Sequence, residues 1–290
     1  MDFSESDEQR LIRESVRKLC RDFPDEYWEH KDAAGEFPSD FFDSMAKAGW
    51  LGIAMPEKYG GAGKGIQEAA ILLEEVAASG AAMNGATPLH LSIFGMHPVV
   101  KHGSESLRSA YLPKVARGEM HVAFGVTEPN AGTDTTAIET SAKRDGDHYI
   151  VRGRKVWTTK AIESQRVLLL VRTTPRKEVL RKTDGMTLLL AELQRPEVTI
   201  SPIPKLGRNA VRTCEVVYDD LPVFPACFSG RSAFADPHLL LSPVLPLRAQ
   251  ALLDHTIEAM LFEAVLQPCD AVSWSWPVAT GCCPAATGHV

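Results

Sequence analysis

Phe124-Gly125-Val126-Thr127-Glu128-Pro129-Asn130-Ala131-Gly132-Thr133-Asp134 is the stretch on which the fold turns. Its opening residues suit a strand, and the string then passes into a polar turn of small residues punctuated by Pro129 and Gly132. Backbone N–H groups in such a turn can converge on an anion. Hydroxyls from Thr127 and Thr133 add donors without charge, which suits a phosphate or the edge of a flavin ring. An ordinary β-turn accounts for the local chemistry equally well.

Upstream of this string the pattern is helical. Leu11, Ile12, Val16, Leu19, Cys20 and Phe23 recur at helical spacing and predict an amphipathic helix over 7–23. A second is expected over 40–48, with Ser39 as its cap and Gly49 as its stop. Residues 67–79, 92–102 and 105–117 predict three more. The glycine cluster Gly60-Gly61-Ala62-Gly63-Lys64-Gly65 lacks the Ser or Thr that a phosphate-binding Walker loop needs after Gly-Lys, and no strand precedes it. It reads as a turn between helices.

Downstream, short β-prone runs are expected at 122–127, 137–143, 148–152, 155–159, 166–172, 186–192 and 214–218. Asp145-Gly146 signals a hairpin turn, and Arg152-Gly153-Arg154 suggests a second tight reversal. Without long helices between the runs, antiparallel pairing is expected rather than a doubly wound parallel sheet. The fold class is therefore α+β. A helical N-terminal domain (1–121) is followed by an antiparallel, barrel-like middle domain (122–223). Residues 224–290 differ in composition: they hold no lysine and four of the six cysteines, and only 248–266 suggests a helix.

The 290 residues carry a net charge of -6, with 44% hydrophobic and 23% charged residues, as in ordinary globular proteins. No basic footprint for nucleic acid is present. No apolar run reaches the ~20 residues of a membrane span, and an acidic start unlike a secretory signal suggests the cytoplasm. The cysteines form no CxxC pair, the histidines fall in no metal-ligand spacing, and no Gly-x-Ser-x-Gly elbow occurs. Metal-assisted and serine-hydrolase chemistry are disfavoured.

A second string, Lys155-Val156-Trp157-Thr158-Thr159, puts an indole and a hydroxyl on one side of a strand, because Trp157 and Thr159 are two residues apart. Such a pair can cover one face of a planar ring and reach a ring nitrogen, although a strand tryptophan is more often plain core.

In this order, the two strings resemble the TEPxxGSD-like turn and KxWITN-like strand of the acyl-CoA dehydrogenase family of flavoproteins. Pro56-Glu57-Lys58-Tyr59-Gly60-Gly61-Ala62-Gly63 is similar to its PExYGGxG loop, and Tyr218-Asp219-Asp220-Leu221-Pro222-Val223 to the exit of its middle domain. The resemblance covers about residues 1–223. It implies FAD as cofactor and α,β-dehydrogenation of an acyl-CoA thioester. An electron-transfer flavoprotein as acceptor and a homo-oligomer are further implications. Residue by residue, it places Phe124, Val126 and Thr127 against the flavin, with Thr127 at the pyrimidine edge. Gly132 and Thr133 fall by the pyrophosphate, Thr133 also near the acyl-CoA, Trp157 and Thr158 beside the ring system, and Thr159 on N5. Thr133, Thr158 and Lys160 stand where serine, isoleucine and asparagine are usual.

The family's base is a glutamate from a C-terminal helical bundle, and residues 224–290 contain no string matching it. Glu258 and Glu263 lie on the candidate helix there without aligning, so the catalytic residue stays unassigned. An alternative is a truncated protein that binds acyl-CoA or flavin, or pairs with another subunit, without catalysing. A third is a relative that performs flavin oxidase or monooxygenase chemistry.

Overall fold

The computed structural model describes residues 4–224, so the expected helix at 248–266, with Glu258 and Glu263, lies outside the described residues. Seven helices come first: α1 Asp7–Cys20, α2 Asp25–Ala34, α3 Ser39–Lys47, α4 Ile66–Val76, α5 Ala82–Ile93, α6 His97–His102 and α7 Glu105–Ala116. Seven strands follow: β1 Val122–Gly125, β2 Ser141–Asp145, β3 His148–Thr159, β4 Arg166–Arg172, β5 Met186–Glu192, β6 Val198–Pro202 and β7 Thr213–Val223.

Helix α1 starts on a capping box, in which Ser6 Oγ accepts from the Gln9 amide and Gln9 Oε1 accepts from the Ser6 amide. Ile12, Val16 and Cys20 then face inward, while Leu11 stays exposed. Packing of α1 on α4 is reinforced by Arg13 and Arg17, which both pair with the buried Glu75 at 2.5 and 2.9 Å. Trp28 and Phe41 join this core edge to face, with centroids 4.9 Å apart.

Several expected boundaries move. Ser39 is the first residue of α3 rather than its cap, since Pro38 takes that place. Gly49 ends the helix as expected, in a left-handed conformation (φ 82°). The helix expected over 67–79 stops at Val76. A wide turn at Ala77–Ala81 follows, where Gly80 (φ 92°) brings its Cα so near Asp25 that a Cβ would lie 2.1 Å from Oδ1. The 92–102 helix breaks at 94–96 into the end of α5 and α6. The glycine cluster is the turn expected of it, folded back on residues 52–55: Gly63 and Lys64 donate to Met55 and Ile53 carbonyls at 2.8 and 2.9 Å. A Cβ on Gly61 would lie 2.1 Å from the Met55 carbonyl oxygen, so that contact needs glycine.

The strands form one curled mixed sheet in the order β1-β4-β2-β3-β7-β6, with β5 on the other edge of β4. Most pairings are antiparallel, but β1 runs parallel to β4 with Phe124 opposite Leu168, which departs from the expected antiparallel pattern. The hairpin of β2 and β3 intervenes between β1 and β4 and supplies the crossover that a parallel pair requires. Asp145-Gly146 opens the turn of that hairpin, pairing Asp145 with His148. The second reversal, expected at Arg152-Gly153-Arg154, is instead a bulge inside the unbroken β3. Here Gly153 passes so close to Thr140 that a Cβ would sit 2.7 Å from its Cα, so the glycine serves a backbone approach rather than a turn. Val151, Val167, Leu169, Val171, Leu189 and Val216 pack together in the sheet's own core. Cys20 and Cys214 are buried free thiols. Among the described residues, no helix is long and apolar enough to cross a membrane, and no cluster of His, Cys, Asp and Glu is placed to hold a metal.

Candidate functional site

The two strings singled out in the sequence meet in space. The Val156 amide donates to the Thr127 carbonyl at 2.9 Å, which joins the end of β1 to the middle of β3. Beneath this link Lys155 Nζ donates to the Val126 carbonyl and to Glu128 Oε1, both at 2.8 Å. Lys155 is 0% exposed and Glu128 7%.

Glu128 also organises the turn after it. Its carboxylate accepts the amides of Glu139 (2.7 Å) and Thr140 (3.0 Å), while its backbone exchanges two hydrogen bonds with Ala131 at 3.1 Å each. Burial pushes the Glu128 pKa up, but Lys155 and the amides outweigh it and hold the carboxyl below its ordinary value. For Lys155 burial wins over the ion pair and lowers the amine to about 8. The asymmetry follows from the partners: the carboxylate gathers three donors and the ammonium two acceptors. Arg172 pins the far side of the same turn, donating to the carbonyls of Thr136 (2.6 Å) and Ile138 (3.2 Å) and to those of Lys182 and Asp184.

A register shift between Lys155 and Thr158 marks a second bulge in β3. Lys155 and Thr158 are both buried although three residues apart, while Trp157 is 57% exposed and Thr159 half-buried. Trp157 and Lys160, which bracket the two threonines, both have left-handed backbones, with φ of 61° and 62°. Non-glycine residues in that region are uncommon and gather where a site imposes the geometry. The bulge leaves Trp157 and Thr159 alternating with the inward Thr158.

The remaining residues picked from sequence divide by burial. Phe124 and Thr127 are half-buried at the end of β1 and just past it. Gly132 and Thr133 are exposed on the turn, and nothing lies within 4 Å of where a Cβ on Gly132 would be. Val126 packs into the core with Ile138, Leu170 and Met186. Thr158 is 1% exposed, and its Oγ1 finds no hydrogen-bond partner among the described residues. A buried hydroxyl without a partner is costly, so Thr158→Val, which keeps the branched shape, is expected to raise stability by about 1 kcal/mol. A higher thermal midpoint would show this; a lower one would mean the hydroxyl is satisfied.

Other members of the region were not foreseen. Glu128 and Lys155, 27 residues apart, carried no sign in the sequence of being a buried pair. A lysine inside a β-prone run was the one available signal. Lys160, recognised only as a departure from asparagine, is 0% exposed between helices and sheet, with Nζ 3.2 Å from the Pro88 carbonyl and 5.2 Å from the centre of the Phe42 ring.

Comparison with known proteins covers both the helical and the sheet regions. A family profile described as acyl-CoA dehydrogenase, N-terminal domain, matches residues 6–119, and one described as acyl-CoA dehydrogenase, middle domain, matches 123–221. A probable acyl-CoA dehydrogenase of Bacillus subtilis is 32% identical over 79% of this chain and 60% of its own length. The mitochondrial isovaleryl-CoA dehydrogenase of Pongo abelii is 30% identical over 87% of this chain and 62% of its own. The crystal structure of an acyl-CoA dehydrogenase from Geobacillus kaustophilus superposes with a TM-score of 0.71 at 28% identity, over 78% of this chain and 58% of that one. This chain thus spans about three-fifths of the length of these relatives. With two adjoining profiles across its helical and sheet regions, the chain belongs to the acyl-CoA dehydrogenase family.

Proposed function

We propose that this chain binds FAD along the β1–β3 junction and acts as an acyl-CoA dehydrogenase-like oxidoreductase on an acyl-CoA thioester. The carrying observation is the Thr127–Val156 hydrogen bond, which joins a hydroxyl-bearing turn directly to an aromatic, hydroxyl-bearing strand. A flavin needs an apolar wall and donors at its ring edge, and the residues present fit that need. Trp157 offers an exposed indole face, Thr159 a half-buried hydroxyl two residues further along β3, and Thr127 a second hydroxyl across the junction. Phe124 adds aromatic surface at the end of β1. Val126 and Thr158, whose side chains are buried, contribute backbone to the wall. The open space over Gly132 and the hydroxyl of Thr133 suit the pyrophosphate, with Thr133 also facing the acyl-CoA.

When bound, the flavin supplies a two-electron acceptor for hydride from Cβ of the thioester. The chain's own residues do the positioning. Thr159 holds a proton toward N5, Thr127 toward the pyrimidine edge, and Trp157 keeps water from one face of the ring. None of the residues assigned to this wall is a carboxylate, so removal of the α-proton needs a base from elsewhere. That observation favours one alternative, a chain that binds flavin or acyl-CoA without turnover. Electron transfer to a flavoprotein partner and assembly into a homo-oligomer belong to the same proposal.

An absorbance spectrum tests it. Purified protein is expected to carry a yellow flavin that bleaches anaerobically on adding an acyl-CoA. Flavin that stays oxidised would leave the binding-only reading, and folded, colourless protein that takes up no added FAD would end both. Trp157→Ala and Thr159→Ala are each expected to weaken FAD binding about tenfold, read by flavin fluorescence; unchanged affinity in both would remove these residues from the site.

A further inference from the structure

Behind Thr159 lies a row of polar groups that begins in the loop between β6 and β7. Arg208 has a left-handed backbone (φ 53°) directly after Gly207 (φ 68°). Its Nη2 donates to Thr213 Oγ1 at 2.9 Å, and its Nη1 reaches Thr87 Oγ1 on α5 at 3.4 Å. Thr213 Oγ1 in turn lies 3.2 Å from Thr159 Oγ1. Among the described residues no carboxylate is ion-paired with Arg208, so this half-buried cation is directed at neutral hydroxyls.

The chemistry of these groups fixes the direction of the row. A guanidinium only donates, so Thr213 Oγ1 accepts from Arg208. Thr213 is 3% exposed and has one hydroxyl proton left to place; the acceptor beside it is Thr159 Oγ1. Leaving that proton unpaired in the interior is unfavourable, so Thr213 donates to Thr159. Thr159 then has its own proton free, and being half-buried it can turn that proton toward the surface.

We propose that Arg208 is a positioning residue: through Thr213 it orients the Thr159 hydroxyl so that Thr159 presents a donor to the ring atom that accepts hydride. This rests on the assignment of Thr159 to the flavin made above. The row makes Thr159 selective for a ring position with a lone pair. The contact of Arg208 with Thr87 ties that selectivity to the seating of α5 against the sheet.

The test compares FAD with 5-deaza-FAD, in which a C–H replaces N5 and removes the acceptor, by flavin fluorescence titration. The wild-type chain is expected to bind FAD about tenfold more tightly than the deaza analogue, the size of one good hydrogen bond. In Thr213→Val and in Arg208→Met this ratio is expected to fall to about one, and in Thr213→Ser to stay near the wild-type value. A purely structural role would weaken both ligands alike and leave the ratio unchanged, which overturns the proposal even where a variant is less stable. Thr159→Val separates the two layers. If it abolishes the ratio while Thr213→Val and Arg208→Met keep it, the relay is wrong and the Thr159 assignment stands. If wild-type protein shows no preference, the Thr159 assignment fails and the relay with it.

Discussion

Replacing Lys155 with methionine is expected to lower the unfolding free energy by about 1–3 kcal/mol at neutral pH: removing one partner of a buried ion pair costs about 3–5 kcal/mol, and relief of the burial penalty that lowers the Lys155 amine to about 8 offsets part of it. Lys155 is 0% exposed and Glu128 7%, and their contact is 2.8 Å. Methionine fills much the same space, so cavity formation contributes little; what remains is a buried carboxylate without its cation. The amides of Glu139 and Thr140 stay as partners, and the Val126 carbonyl loses its donor. On the acid side the pH dependence has a definite sign. In the wild type the Glu128 pKa lies below its ordinary value, because Lys155 and the amides outweigh burial. Its contribution is therefore present above the unfolded-state value near ~4.3 and is lost as pH falls through the folded value. In Lys155→Met burial is no longer opposed by the cation, the carboxyl pKa rises, and the deficit relative to wild type shrinks as pH is lowered. Urea unfolding at pH 7 and pH 5 reads both effects. Glu128→Gln/Lys155→Met is expected to cost less than the sum of its single changes, since it leaves no buried charge. A loss below about 1 kcal/mol at pH 7 would show that the pair does not hold the β1–β3 junction.

That pair explains why the sequence reveals the two strings of the site but not what joins them. Arg166–Arg172 and Met186–Glu192 are legible as strands because each centres on a short apolar run, Val167–Val171 and Leu188–Ala191, and both boundaries agree with the structure. Helix α2 escapes the periodic reading because Trp28 is its one buried residue among charged neighbours. Strand β6 escapes because it pairs only with β7 and buries none of its five residues. Gly153 was misread for a different reason: a glycine that frees the backbone to turn and one that lets it pass close to Thr140 look alike in one dimension. Trp157 and Thr159 could be chosen by spacing, since both sit on one strand. Arg208 and Thr213 could not, because their relation to Thr159 exists only through the antiparallel pairing of β3 with β7, where Thr159 lies opposite Thr213. Local chemistry thus picks out the surface of the proposed site, whereas what supports that surface depends on long-range register.

Lys160 carries the other large expected effect, opposite in sign. Its side chain is 0% exposed, and burial lowers its pKa to about 7, with Glu163 acting weakly the other way. The titratable groups around it do not compensate. His90 on α5 and His121 before β1 are each lowered to about 4 by burial and then by Lys160 itself, so both are neutral near pH 7, and burial raises Glu163. The unfolded chain, with a lysine near ~10.4, binds more protons than the folded one between pH 7 and that value, so stability rises with pH across this window. Below pH 7 both states are protonated and the folded state bears the whole penalty. Lys160→Met is therefore expected to stabilise the protein by about 3 kcal/mol at pH 6, the desolvation penalty less the attraction of the ammonium to the Phe42 ring. The Pro88 carbonyl that loses Nζ keeps the Ser92 hydroxyl at 3.4 Å as a donor. By about pH 10.5 the gain should have fallen below about 1 kcal/mol, because the folded amine is then neutral and the unfolded one is about half deprotonated in the wild type. Denaturant unfolding of both proteins at pH 6, 8 and 10 measures it. A gain that does not change with pH would mean that packing, not charge, sets the difference. A loss at pH 6 would mean that the ammonium is held favourably between the helices and the sheet.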